Sequence, residues 1–595
     1  MNKKSLADSI DPTNNPYFAP TDGRCLINDL PTELLSQIFV VGADSELDPA
    51  THDEDEDDDY SDGSLSSLDS GSRAGSPSTS KASEASFGSS FERHLPFELL
   101  VSRVCTRWRA VAVETPTLWT NIEFQEPFNL DRAREYVRRA KGAPLDISID
   151  CTVEEDEMLD DEAEWLDEAT VAGKPHFVAL REVLDLLKPH VEQWKTLELM
   201  VSHYLLMQHA LTVFASCSGA PILEVMGLYH YEDSEESERF VPPQYKEQDF
   251  VLFQNNLPKI KEVALWGVHV DWPKTTFLSE LHDIEFAYHA LDVRPSYFDF
   301  QRILKSSPRL QTLTLCQSGP AGMPVDWLES VKTAMNLPPE KPPTESLLDI
   351  TLPSVANLVL AFLSPDYVLA LLDHIRLPSV MSLALDFEQD EYTPVLARLA
   401  EPAAGTSKSV FAGIEALKLS GLPCSHVPTL VAAAGALQNM KQLSINFTHV
   451  DYLWLDLLIA PEAIPEAGLA PGTSFFPRLE ALSVTAIDGA TVRDIVEKRR
   501  AIGRPLKEVY LNREEQLWPE DQTWLRENLE VFELFEGSDD EDVIDEVDDI
   551  LDLDDVDEED IMEDDQDENW TDDDDFDEDF DDDEDEEFDV MFNMR

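Results

Sequence analysis

The most selective spacing in this sequence belongs to apolar residues, and the chemistry open to them is burial against another surface. In Leu30-Pro31-Thr32-Glu33-Leu34-Leu35-Ser36-Gln37-Ile38-Phe39, the residues Leu34, Leu35, Ile38 and Phe39 fall on one helical face. Leu100, Val104, Trp108 and Val111 stand at i, i+4, i+8 and i+11, which predicts a second helix with its own apolar face. Bond-making groups show no comparable pattern. None of the 13 histidines falls in H-E-x-x-H, and no G-x-S-x-G, P-loop or G-x-G-x-x-G motif occurs. The six cysteines, at 25, 105, 151, 217, 316 and 424, lack C-x-x-C spacing and read as scattered thiols. With 121 acidic residues, carboxylate pairs arise by chance, and the acidic runs lack the EF-hand loop's glycine spacing. No catalytic residue, metal or cofactor is expected, and the chain is not read as an enzyme.

The elements that must hold those apolar residues can be read from their flanks. Asp29 is placed to cap a helix beginning at Leu30 or Pro31, with Glu33 in its first turn. Thr115 and Pro116 stop the second helix, and Leu118-Trp119 supplies an apolar plug after it. So small a module buries a modest fraction of its surface and is marginal alone. The spacing leaves open which apolar residues are core and which face a partner.

Between about 140 and 535 one short signature recurs, a hydrophobic residue followed three later and then two later by others. Trp194-x-x-Leu197-x-Leu199, Ile260-x-x-Val263-x-Leu265, Leu310-x-x-Leu313-x-Leu315, Met440-x-x-Leu443-x-Ile445 and Leu506-x-x-Val509-x-Leu511 are five of eleven copies. The alternating part predicts a strand with one buried face. Helical stripes lie between copies: Phe177, Leu180, Leu184, Leu187 and Val191; Val368, Leu371, Leu372 and Ile375; and Val492, Ile495 and Val496, stopped by Gly503. The expected fold class is α/β: a small all-α module, then a repeat array of strand, turn and helix. A plain α/β domain with a parallel sheet is the alternative.

The net charge of −77 is concentrated in appendages. Residues 536–595 hold 36 acids and one base, residues 44–62 hold 11 acids, and residues 154–168 hold 10, which leaves −21 on the remainder. Such a chain is not expected to bind nucleic acid or an anionic membrane surface. Thirteen serines crowd residues 61–90, so the segment 44–93 is read as a disordered insert, with Ser76-Pro77 among its plausible phosphorylation sites. The leader 1–25 is polar and lacks a secretory pattern. The longest apolar region, near Leu352 to Leu372, is broken by Pro353, Pro365 and Asp366, so a cytoplasmic or nuclear location is expected.

Taken in order, L-P-x-E-L-L-x-x-I-F at 30–39, Leu95-Pro96-Phe97-Glu98-Leu99-Leu100, Val104-Cys105-x-x-Trp108 and Pro116-x-Leu118-Trp119 resemble an F-box. The segment behind resembles degenerate leucine-rich repeats, in which the usual Asn or Cys after the strand is mostly missing. The layout is similar to that of large fungal F-box proteins. The resemblance implies an F-box-like module at 26–125 interrupted by the insert, and a leucine-rich-repeat-like solenoid at 126–535. Lengthening a closed loop from about 10 to about 50 residues costs about 1.4 kcal/mol, so the insert need not break the module. The implied function is substrate recognition in a cullin-based ubiquitin ligase. A Skp-type adaptor, and a cullin through it, would bind at Leu30, Pro31, Leu34, Leu35, Ile38, Phe39, Leu95, Pro96, Val104 and Trp108, and a protein substrate would bind the repeats. Trp119 would be core.

The tail at 536–595 is read as disordered and allows a different role. Its acid run is punctuated by Trp570, Phe576, Phe580 and Phe588, which resembles histone-chaperone tails that cover basic proteins. A self-repelling solubilising tail, or one folded back on Lys498, Arg499 and Arg500, are the plainer readings.

Overall fold

The computed structural model describes residues 27, 30–46, 96–125, 128–152, 173–230, 239–247, 250–337, 347–387, 390–402, 408–464, 469–470 and 472–535. The leader, the serine-rich insert beyond Glu46, the acidic run at 154–168 and the acidic tail lie outside them, as do Asp29 and Leu95.

Each copy of the recurring signature forms a strand. In chain order the strands are β1 (Asn121–Phe124), β2 (Leu145–Cys151), β3 (Trp194–Val201), β4 (Val225–His230), β5 (Glu262–Trp266), β6 (Asp283–Ala287), β7 (Thr312–Cys316), β8 (Ile350–Thr351), β9 (Asn357–Ala361), β10 (Ile375–Arg376), β11 (Ser382–Asp386), β12 (Ala416–Gly421), β13 (Gln442–Asn446), β14 (Ala481–Thr485), β15 (Glu508–Asn512) and β16 (Val531–Phe535). Apart from the small β8–β10 pair, fourteen of them form one parallel sheet whose spatial order follows the chain. Three of those strands, β1, β2 and β16, extend the array beyond the eleven expected.

Register explains why the signature is constant. The second apolar position of every copy pairs with that of the next strand, in one row from Ile122 through Leu197, Leu313 and Leu443 to Phe532. A polar residue in that row would sit against a buried neighbour on both sides, so the position stays apolar. Helices cover that face, and Leu35 through Leu525 form a single continuous core.

The backbone just before each strand forms a second ladder. Glu224 N–H donates to the Lys195 carbonyl at 2.8 Å, Lys261 to Glu224, and the chain of bonds continues through His282, Gln311, Ala356, Met381, Glu415, Lys441, Glu480 and Lys507 to Glu530. Charges alternate in sign wherever they occur along it. Lys261–Glu224, Lys441–Glu415 and Lys507–Glu480 are ion pairs of 2.7, 2.6 and 2.6 Å. Adjacent strands are about 4.8 Å apart, so like charges there would repel at close range.

The described residues hold fourteen α-helices. They are α1 (Thr32–Glu46), α2 (Phe97–Val104), α3 (Thr106–Glu114), α4 (Leu130–Ala140), α5 (Pro175–Leu187), α6 (Tyr204–Ser216), α7 (Tyr297–Lys305), α8 (Trp327–Ala334), α9 (Pro365–His374), α10 (Thr393–Ala400), α11 (Val427–Ala436), α12 (Leu453–Ile459), α13 (Gly489–Ala501) and α14 (Pro519–Asn528). The helix expected from Leu100 to Val111 is two helices. Cys105 is extended (φ −157°, ψ 171°) and turns a corner between α2 and α3, its Sγ accepting from Trp108 N–H at 3.4 Å. Among the described residues, no helix is long and apolar enough to cross a membrane.

Candidate functional site

The helical segment α1–α3 sorts its apolar residues into two sets. Leu35, Phe39 and Val101 are buried, whereas Leu34, Ile38 and Val41 are 48, 47 and 64% exposed, and Leu100 and Val104 are 45 and 60% exposed. The exposed residues of α1 stand at i, i+4 and i+7, and those of α2 at i and i+4, so each helix turns an apolar stripe to solvent. Five large aliphatic side chains left uncovered on adjoining helices constitute a surface suited to a partner.

The buried set shows how that surface is held. The Phe39 and Trp108 rings pack at 5.0 Å between centroids. Ser36 Oγ and Thr115 Oγ1 share a hydrogen bond of 2.8 Å, joining α1 to the end of α3. The Arg107 guanidinium donates to the backbone carbonyls of Leu30 and Ile27, which ties down the approach to α1. After α3, a 3₁₀ turn at Pro116–Trp119 buries Trp119 completely, and its indole N–H donates to the Ala112 carbonyl at 2.9 Å. Trp119 meets the Tyr136 ring edge-on, and the Arg139 guanidinium lies 4.2 Å over its face. Tyr136 on α4 donates its hydroxyl to Glu98 on α2. Burial, then Glu98, raises the Tyr136 pKa and keeps that hydroxyl protonated. The helices thus share a core with the sheet instead of standing as a marginal domain of their own.

Of the residues the sequence put forward, Leu34, Ile38 and Val104 lie exposed together with Pro31, while Leu30, Pro96 and Trp108 are half-buried. Leu35 and Phe39 are core, with no exposed surface to offer. Leu95 lies outside the described residues. Val41 and Leu100 join the exposed stripes although the spacing argument did not single them out as contacts.

No protein-family model and no curated protein sequence matches this chain.

The face of the sheet opposite the helices, uncovered by the described residues, is the second surface. Alternation puts Glu123, Asp146, Asp150, Glu198, Glu262, Asp283 and Glu285 on the open side of β1–β6, where Lys195 is the one basic strand residue and pairs with Asp146 at 3.3 Å. Tyr229, Trp266 and Tyr288 pack edge-to-face in series, at 5.2 and 5.4 Å between centroids. They stand beside a floor of small residues, with Ala287, Cys316 and Ala361 buried as a cluster separate from the main core. Desolvation raises the Glu285 pKa, and the adjacent Trp266 indole works against it. The signature does not report this face, because it tracks the buried residues.

Each member of the basic cluster at the end of α13 has a partner within the described residues. Arg499 is buried and donates to the Phe476 carbonyl at 2.9 Å, Arg500 donates to Asn528, and Lys498 pairs with Asp494 at 2.7 Å. Lys498 and Arg500 remain exposed while Arg499 does not.

Proposed function

We propose that this chain is a substrate receptor of a cullin-based ubiquitin ligase. The exposed stripes on α1 and α2 dock a Skp-type adaptor, and the leucine-rich-repeat-like array, read as a solenoid, presents a protein substrate. The observation that carries the reading is the division of the F-box-like apolar residues. Leu35, Phe39 and Val101 close the core, while Leu34, Ile38, Val41, Leu100 and Val104 remain uncovered. A helix surface of this kind, extended by its neighbours, fits a standard interface of about 1,600 Å². The receptor's contribution is proximity and orientation of the substrate, with no bond-making step of its own. A cytoplasmic or nuclear setting, where adaptor and cullin are found, belongs to the same reading. Capture of the full chain from cells, followed by probing for adaptor and cullin, tests it. Both should be retained by the wild type and both lost from Ile38→Asp, and recovery of neither with the wild type defeats the proposal.

A further inference from the structure

The open face of β3–β7 combines two features that select one kind of ligand. Along its centre, in register, run Glu198, Gly227, Ala264, Glu285 and Thr314. Gly227 and Ala264 leave the floor between the two carboxylates low. The Tyr229 ring occupies that space, since a β-carbon on Gly227 would lie 2.6 Å from the ring's Cε2. Beyond it, Trp266 and Tyr288 continue the aromatic row. Tyr288 follows β6 directly with φ +51°, a conformation in which its ring reaches Trp266. Half-buried aromatic faces beside carboxylates are where ammonium and guanidinium groups bind best, because both the ring quadrupole and the anion attract them.

Charge decides between possible occupants. Glu198, Glu262, Asp283 and Glu285 make no ion pair with any described residue, and Glu262 and Asp283 flank the same floor one row over. Lys261, beside Glu262, is paired with Glu224 at 2.7 Å, and the Arg294 guanidinium donates to the carbonyls of His289 and Gln317. An acidic segment would be repelled by this face, and an apolar one would desolvate four carboxylates without compensation. We propose that the open face of β3–β7 binds a basic segment of a partner protein, with a lysine or arginine side chain seated over Trp266 against Glu285. This deepens the receptor reading by naming its substrate class, and the surface is distinct from the α1–α2 stripes.

The test is fluorescence anisotropy of the full chain with a labelled lysine- and arginine-rich 12-residue peptide, with Gln-substituted and Glu-substituted versions as controls. Because residues 536–595 also offer carboxylates, point variants on the sheet face decide the matter. Glu285→Gln keeps the shape and removes the charge, and Trp266→Ala removes the ring. Each should weaken the basic peptide about tenfold and leave Skp-type adaptor binding unchanged. Hydrogen exchange should slow at 262–266 and 283–288 when the basic peptide is present. Should Trp266→Ala fail to fold, Glu285→Gln alone carries the result. Unchanged affinity in Glu285→Gln, or equal binding of the neutral peptide, overturns the proposal. Loss of adaptor binding by Leu34→Asp with peptide binding intact assigns the two activities to separate surfaces.

Discussion

The Phe97 ring on α2 occupies the space beside Gly42 on α1, with its Cζ 2.3 Å from where a β-carbon would stand. Two helices that flank the long insert therefore meet at a point that tolerates no side chain on one of them. The contact fixes how the stripe of Leu34, Ile38 and Val41 is presented beside that of Leu100 and Val104.

Gly42→Ala sets two effects against each other. Alanine in a helix interior gains about 1 kcal/mol in propensity. Displacing a packed ring costs typically about 1–3 kcal/mol. The substitution should therefore destabilise the helical segment slightly, and Gly42→Ala combined with Phe97→Leu should recover the loss. A double-mutant cycle by urea denaturation measures the coupling, and additive single effects would argue against the contact.

Neighbouring leucines on α1 should behave oppositely. Leu35→Ala removes a fully buried side chain and should cost about 2–4 kcal/mol. Leu34→Ala, on the exposed stripe, should stay within about 0.5 kcal/mol. Denaturant midpoints of the two variants compare them directly.

Acid should unfold the sheet through its buried histidines. Burial pushes the pKa of His230 and of His289 down to about 3, and His289 bonds Ser318 Oγ and the Val268 carbonyl at 2.9 and 2.8 Å. An unfolded histidine titrates near about 6.5, so between these values the unfolded chain binds more protons than the folded one. Stability must then fall as pH falls through that window, by about 1.4 kcal/mol per pH unit for each histidine. His289→Gln should make the dependence shallower between pH 6.5 and 4.5, and an unaltered slope would contradict the assignment.

The alternating ladder predicts a salt-sensitive effect. Lys441→Glu would place three glutamates in succession at Glu415, position 441 and Glu480. The pair it breaks, Lys441–Glu415, is half-exposed, so the loss should be about 1 kcal/mol and should shrink in molar salt. A loss that persists at high salt would point to packing instead.

The strands were legible because a buried row tolerates few residue types, and eleven of the fourteen positions show as a fixed spacing. Two of the others carry the same spacing, at Trp119…Ile122…Phe124 and Leu529…Phe532…Leu534, but Trp119 also ends the helical segment. That double duty hid β1. β2 shows clean alternation from Leu145 to Cys151 without the upstream residue. The corner at Cys105 was invisible, since Leu100, Val104 and Trp108 keep helical spacing through the break. The division between Leu34 and Leu35 was equally hidden, because adjacent leucines differ in burial through what packs on them and not through type. The aromatic–carboxylate face leaves no signature in the sequence for a related reason: exposed strand positions carry no periodic constraint.

Docking of a Skp-type adaptor on the exposed stripes of α1 and α2 can be read by calorimetric titration of the purified full chain with purified adaptor. The wild type should bind saturably, one to one. Leu34→Asp/Ile38→Asp should weaken it at least about a hundredfold while leaving the melting profile unchanged. Absence of binding by the wild type, or undiminished binding by a folded double variant, would contradict it.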